Sequence, residues 1–507
     1  MSKEELMELV LKLQKDNKKK DDKIEKLEAE KRSLNIKLDE LIAKYEQKVE
    51  VNNKIIADRF LPKCEKFTQF EESINEVELI KETSPRKSPS KRFIEELKSL
   101  KSKELIYDFD FDGYNIDIDS VKPFGEDVSY KIEINPLSFD VVEVKRPKYK
   151  DKDHIYQSTS KDPFPNSPLT STLAANIIVM KYSLAVPLHR YAKYMNSFNI
   201  MVSPQDLSNY VERTAQLLEP LYNELENSLA NTKFSVIHGD ETPLQIIDSN
   251  KSKCYMFVYA TSFWDNPIYI YKFSEKRDIS NTIDLLNNFN GYFICDGYTG
   301  YDSLPNKVKG NIKIQRCWVH MRRYFFDCLK GLDEELWPNN PAYRVIKKID
   351  QMFKLEENMK NLNYTRNQIK EKRNSSEYQT LIKDLDELIL SIDYGNSTYL
   401  RKACEHYKND KNELYTFLED GYIDIHNNLA ERTVRPFTIA RKNFLFCKTC
   451  DGASITAKLF SIVQTARANG LKVEQYLKYV IDNIKVKNIA DLLPWSINLP
   501  KELKINE

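Results

Sequence analysis

The chain has 507 residues, 77 basic and 76 acidic side chains, a net charge of +1 and 30% charged residues. That length exceeds one hydrophobic core and implies about two to four domains, while the near-zero charge leaves any nucleic-acid binding to local basic faces. The longest apolar runs fall short of the roughly 20 residues a membrane helix needs, and MSKEELMELV lacks the order of a secretory leader, so a cytoplasmic protein without a membrane partner is expected.

Residues 1–56 place Val10, Leu13, Asn17, Ile24, Leu27, Leu34, Leu38, Leu41 and Tyr45 on one heptad seam among Lys and Glu. This pattern predicts a two-stranded coiled coil in which Asn17 fixes register, although Lys20 and Lys31 weaken the same seam. A self-association arm is the expectation; a single solvated helix is the alternative. Residues 57–103 contain KETSPRKSPSKRF, with two Ser-Pro steps and five Lys or Arg, a flexible basic linker able to touch phosphates or simply to act as a spacer.

Residues 104–160 are expected to form a small β-rich module, because KIEINPLSFDVVEVKRPKY alternates apolar and polar positions. Residues 161–232 turn helical. In MVSPQDLSNYVERTAQLLEPLY, Ser203 is placed as a cap and Pro204 at the first helical position. With SLAVPLHRYAKYM before it, this reads as a helix-turn-helix or as a plain helical bundle.

From 233 to 330 the grammar is that of a mixed α/β sheet. FSVIHGDE, CYMFVYAT (254–261) and PIYIYKFS (267–274) read as strands, RDISNTIDLLNNF (277–289) as a helix, and GYFICDGYTGY (291–301) as another strand. IKIQRCWVHMRRYFFDCL then runs from strand into helix, and chemistry in such sheets sits where strands end. Residues 331–420 are charged helices, expected as an insertion. The core resumes over 421–507 with DIHNNLAERTVRPFTIARKNFLFC and a helix placing Ile455, Leu459, Ile462, Val463 and Ala466 on one face, ended by Gly470. Cys447 and Cys450 have ligand-like spacing, but no second Cys or His pair lies near them. A structural zinc needs about four ligands, so ordinary thiols and no zinc are expected.

Asp240 and Asp296 each close a predicted strand. Glu431 shares a polar helical face with Asn427, Asn428 and Arg435, before Pro436 closes or kinks the segment. Three carboxylates around one hollow suit Mg²⁺ or Mn²⁺, two such ions being the arrangement for phosphodiester chemistry. Taken singly, each has another reading: Asp240 as a cap or turn residue, Asp296 as a turn residue before Gly297, Glu431 as the partner of Arg435.

HGDETPLQI, DGYTGYDSL, CWVHMRRYFFD, NNLAERTVRPFTIARKNFLF and SIVQTARANGL, in that order, resemble the transposases of the insertion-sequence-66 family. The likeness extends to GEDVSYKIEINPLSFDVVEVKRPKY (125–149) and so covers nearly all of the chain beyond the coiled coil. The resemblance implies a DDE transposase with a ribonuclease H-like core split by the helical insertion, and Asp240, Asp296 and Glu431 as catalytic, metal-binding acids. The implied reaction is metal-dependent cleavage at the ends of an element, then attack of the freed 3′-hydroxyl on target DNA. It also implies that Arg316, His320, Arg322, Arg323, Arg432, Arg435, Arg441 and Lys442 face DNA phosphates, each of which reads equally as a solvated or salt-bridged charge. The implied partners are double-stranded DNA at element ends and target, a second copy, and accessory proteins of the same element, near the prokaryotic nucleoid. Many such relatives carry zinc-binding cysteines around the block matching 125–149. Here YDFDFDGYNIDIDSVKPF and KYKDKDHIYQS contain none, which shifts end recognition toward 161–232. Two other functions stay open: an inactive, self-associating DNA-binding remnant, and a nuclease of the same fold that cuts without joining.

Overall fold

The computed structural model describes residues 138–140, 142–145, 148–150, 155–157, 162–165, 167–251 and 253–505, with Met7, Lys31, Lys37, Leu38, Lys44 and Lys48 as isolated positions. Apart from Lys31 and Leu38, the heptad seam of 1–56 lies outside the described residues, as do the basic linker and most of the module expected at 104–160. The chain divides into two compact units, Cys64–Pro147 and the remainder. In the first, residues 138–140 and 142–145 adopt no regular structure, and Val142 and Val144 are exposed. The alternation there belongs to the expected β-rich module, most of which lies outside the described residues. In the other unit the first described strands are a short antiparallel pair, β1 (Lys148–Lys150) and β2 (Ile155–Gln157).

Four α-helices follow among the described residues: α1 (Ser171–Ile178), which continues into a π-helical turn (Val179–Ser183), α2 (Leu188–Asn196), α3 (Pro204–Leu217) and α4 (Glu219–Ala230). Ser203 begins α3 with a reciprocal cap, its Oγ accepting from the Asp206 N–H at 3.1 Å while the Asp206 carboxylate accepts from the Ser203 N–H at 2.9 Å. Pro204 takes the first helical position, where its missing N–H costs nothing.

Five strands then form one sheet: β3 (Val236–Leu244), β4 (Cys254–Thr261), β5 (Tyr269–Ser274), β6 (Gly291–Cys295) and β7 (Ile312–Arg316), with α5 (Ser280–Leu286) between β5 and β6. Their order is β5-β4-β3-β6-β7. The first three strands run antiparallel in turn, whereas β6 is parallel to β3 and β7 to β6. The apolar run of β4 is buried nearly end to end, as expected of a central strand covered on both faces. β3 does not stop at Asp240. It continues to Leu244 because its pairing with β4 extends to Leu244 opposite Cys254.

Beyond β7 come α6 (Trp318–Phe326), α7 (Pro341–Asn361), α8 (Arg366–Arg373), α9 (Ser376–Leu390) and α10 (Thr398–Leu414). They share a core that includes Trp318, Phe325, Ile349, Leu385 and Tyr407. Arg373, 2% exposed, fastens this layer to the returning chain. Its guanidinium pairs with both oxygens of Glu356 at 2.9 and 2.7 Å and donates to the carbonyls of Phe417, Asp420 and Ile423.

The chain closes with α11 (Asn428–Phe444), α12 (Cys450–Ala468), α13 (Val473–Asn483) and α14 (Ile489–Leu492). α11 packs on β3 and β4 and runs on past Pro436, which neither closes it nor separates it from Phe444. α12 is not one-sided, since Ser461 to Ala466 are all buried. It lies between β5 on one side and α3 and α4 on the other, so its polar positions need partners inside. Ser461 and Thr465 find them by accepting from the outward N–H groups of Tyr271 and Tyr269 at 2.8 and 3.0 Å. On the far edge, Thr416 Oγ1 donates to the Ile314 carbonyl at 2.8 Å, and the Phe417 N–H donates to Gln315 Oε1 at 2.6 Å. No helix among the described residues is long and apolar enough to cross a membrane.

Candidate active site

The site forms where the sheet loses a strand. β6 pairs in parallel with β3 at Val236–Tyr292, Ile237–Phe293 and His238–Ile294, then ends at Cys295. Carried along both chains, that register brings Asp240 level with Asp296. Residues at equal register in parallel strands share a face. Two neighbours hold the approach close. A Cβ at Gly239 would stand 2.3 Å from the buried Phe293 ring, so only glycine fits there. The Tyr298 N–H donates to Asp296 Oδ1 at 3.0 Å, turning the chain directly after the strand.

The electrostatics are those of crowded negative charge. Burial, then the carboxylates of Asp296 and Glu241 and more weakly Glu431, push the Asp240 carboxyl well above the ordinary range, with only the Glu241 N–H opposing them. That N–H donates to Asp240 Oδ1 at 2.8 Å. Glu241 itself is already occupied, since Arg277 donates to its Oε1 at 2.9 and 2.6 Å and the Tyr301 hydroxyl to its Oε2 at 2.9 Å. Burial still raises its carboxyl, against the lowering effect of Arg277.

Glu431 enters from α11. Its Oε1 is buried without a hydrogen bond and lies 3.8 Å from Nε2 of His320 on α6. Burial, followed by the positive charge of Arg323, lowers the His320 pKa, so its imidazole is neutral at pH 7. The start of α11 is tied to β3 by Asn427, which is wholly buried. Its Nδ2 donates to the Gly239 carbonyl at 2.8 Å, and its Oδ1 faces His238 Nδ1 at 3.1 Å. The Asn427 N–H donates to Cys317 Sγ at 3.1 Å. One amide thus fixes the helix of Glu431 against the strand of Asp240. Among the described residues, no group of three or more His, Cys, Asp or Glu stands close enough together to hold a metal ion.

Comparison with known proteins identifies the family. The family profile described as Transposase IS66 family matches residues 166–455. The chain belongs to the IS66 family of transposases. The profile of the IS66 C-terminal element matches residues 461–495. The uncharacterized protein y4jD of Sinorhizobium fredii is 26% identical over 397 residues, covering 73% of this chain and 75% of that protein. The uncharacterized protein y4qI of the same organism is 25% identical over 394 residues, covering 73% and 71%.

The eight basic or histidine positions singled out in this IS66 transposase divide by what already holds them. Arg316 is 2% exposed. Its guanidinium grips the carbonyls of Asp296 and Tyr298 and the carboxylate of Asp302, and so points inward rather than at solvent. Arg322 pairs with Asp350 of α7 at 2.7 Å. Arg441 donates to Thr242 Oγ1 at 3.0 Å and to the Pro243 carbonyl. His320 faces Glu431. Arg323, Arg432, Arg435 and Lys442 are exposed, with no ion pair among the described residues. Sequence reasoning did not assign roles to Glu241, Arg277, Tyr301 or His238. The adjacent acids of HGDET were the one available signal for Glu241; its partners are far away in the chain and carried none.

Proposed function

We propose that this IS66 transposase is a DDE-type enzyme that cuts DNA at the ends of an insertion sequence and joins the freed 3′-hydroxyl to target DNA, in a ribonuclease H-like core. The sheet order, with three antiparallel strands followed by two parallel ones, supports that core. The observation that carries the reading is the register that sets Asp240 level with Asp296, where burial, then Asp296 and Glu241 and more weakly Glu431, raise the Asp240 carboxyl, since crowded buried carboxylates take up either protons or a cation. The residues fit Mg²⁺ or Mn²⁺. The donors are all oxygen, Glu431 Oε1 is buried without a hydrogen bond, and Mg²⁺ is usually held by one or two carboxylates plus substrate phosphates rather than by a closed cage.

Asp240, Asp296 and Glu431 would hold the ions, which when bound activate an attacking oxygen and stabilise the leaving one. Glu241 is paired with Arg277 and serves as a support. Arg323, Arg432, Arg435 and Lys442 are the cations free to take DNA phosphates, while Arg316, Arg322 and Arg441 position the chain around them. Neutral His320 keeps a second positive charge away from Glu431. Double-stranded DNA is the substrate, and residues 1–56 are the arm that pairs protomers in the bacterial cytoplasm.

The test is cleavage of end-labelled element DNA in Mg²⁺ or Mn²⁺ by the wild type and by Asp240→Ala, Asp296→Ala and Glu431→Ala. Each substitution should abolish cutting while leaving DNA binding in place. Cutting that survives any one of them removes that residue from the triad.

A further inference from the structure

The helix that carries Glu431 ends on a strained turn. Leu445 has φ 66° and ψ −46°, and the Phe446 N–H donates to the Phe444 carbonyl at 2.8 Å. A hydrogen bond closing around one residue of positive φ is the rare, strained form of the γ-turn, and a branched side chain seldom occupies it. The turn is clamped from behind. The Cys447 N–H donates to the Gln245 carbonyl at 3.0 Å, the Ile247 N–H to the Cys447 carbonyl at 3.1 Å, and the Asp248 N–H to the Lys448 carbonyl at 3.0 Å. Its anchor is therefore the chain leaving β3, the strand of Asp240. A strained tip is thus built between the two elements that carry Asp240 and Glu431.

The turn displays apolar surface beside four exposed cations, with the exposed Asp248 also on the paired segment. Leu445 is 66% exposed and Phe446 43%, with Ile439 at 54% on the preceding helix and Ile247 at 53% on the paired segment. Arg432, Arg435 and Lys442 on α11 and Lys448 after the turn are exposed, with no ion pair among the described residues. A partner for this surface must be anionic and must also offer flat apolar faces. Resting on the transposase reading above, we propose that the Leu445–Phe446 tip is a wedge that stacks on an unpaired base of DNA whose phosphates lie along Arg432, Arg435 and Lys442. Bases inside a duplex present only their edges in the grooves, so such a wedge acts where the duplex is open, at a fork or an end. The stripe begins beside Glu431, which places the open base within one helix length of the scissile position.

The experiment compares two fluorescein-labelled oligonucleotides of equal length by anisotropy, one fully paired and one with a few unpaired nucleotides at an end. The wild type should bind the fork about tenfold more tightly, the contribution of one stacked base. Phe446→Ala and Leu445→Gly should lose that preference and keep the affinity for the paired duplex, and Phe446→Trp should restore it. Leu445→Gly accepts a positive φ without strain, so an unchanged or higher Tm for this variant shows that its lost preference is not lost folding. Equal fork preference in Phe446→Ala and wild type, or none in the wild type, overturns the wedge; retained duplex binding then leaves the transposase reading intact. Failure of the wild type to bind either DNA removes both. A changed oligomeric state in Phe446→Ala with an unaltered fork preference gives the tip to a second copy and likewise overturns the proposal.

Discussion

Asp240 and Asp296 stand level across two parallel strands, because the register that pairs His238 with Ile294 continues to them after β6 has ended. One carboxylate sits on a strand that runs on and the other on a strand that turns away, so both open onto the same gap. Their mutual repulsion adds to the burial that raises the Asp240 carboxyl, and the consequence is measurable without DNA. A carboxyl raised in the fold is no burden below the ordinary carboxylate pKa of about 4 and an increasing one as pH climbs to its folded value. Asp240→Asn should therefore stabilise the metal-free protein at pH 7 by roughly 1 kcal/mol or more. It should also flatten the decline in stability as pH rises from about 4. Thermal unfolding across pH, with and without Mg²⁺, checks this, and the wild type alone should gain Tm from the ion.

Asn427 offers a separation of position from chemistry. Asn427→Ala leaves the Gly239 carbonyl and His238 Nδ1 buried without their partner, which should cost about 2 kcal/mol. Because the amide fixes α11 against β3, cleavage should fall more than stability explains, while affinity for paired DNA stays within about twofold. Denaturant unfolding, cleavage rate and binding, measured on one preparation, decide the matter; unaltered cleavage in a folded variant would make Asn427 a packing residue only.

Arg316 and Arg435 have the same charge and opposite predicted effects. A lysine at 316 supplies one ammonium where the guanidinium serves Asp296, Tyr298 and Asp302 at once. Arg316→Lys should destabilise the protein by roughly 3 kcal/mol and leave the salt dependence of DNA binding unchanged. Arg435→Ala should leave Tm unchanged and reduce the slope of log K against log salt by about one.

Asp424 governs the acid limb. Burial acts to raise its carboxyl, but Lys360, His238 and His426 outweigh it and hold the group well below the ordinary range. The Lys360 ammonium lies 2.7 Å from Oδ1 and His238 Nε2 lies 3.6 Å from Oδ2. A depressed carboxyl contributes stability above its unfolded pKa of about 4, and that contribution disappears as pH falls through the folded value. Lys360→Ala lets the folded value climb. Because Lys360 is half-exposed, the loss at pH 7 should be only about 1 kcal/mol, with a shallower fall in stability below pH 4. An unchanged acid limb in urea titrations of the variant would separate Lys360 from Asp424.

Much of this architecture was legible because it follows from local rules. Ser203 and Pro204 announce the start of α3, and the runs that form β4, β5 and β7 are apolar enough to read directly. The level placement of Asp240 and Asp296 was not legible, since register is a property of pairing between strands and not of either strand alone. Nor was the division among the cations. Arg316 and Arg435 look alike in sequence, yet one is enclosed by carbonyls of the loop after β6, and the other is exposed with no ion pair among the described residues. The face assigned to α12 was too narrow: Ser461 and Thr465, which it left out, are buried too, and their hydroxyls serve the backbone of β5. Val142 and Val144 alternate like strand residues and remain exposed.

Those hydroxyls have a consequence for how copies of this protein meet. Tyr269 and Tyr271 have their outward N–H groups taken by α12, Asn281 occupies the Phe273 carbonyl at 2.9 Å, and Thr416 covers Ile314 on the opposite side. A foreign strand arriving at the β5 margin finds several of its hydrogen-bonding groups already taken, and one at the β7 margin meets Thr416 at Ile314, which hinders the usual route to sheet-to-sheet polymerisation. Two copies brought side by side at these positions are thereby left to meet through side chains rather than by joining their strands.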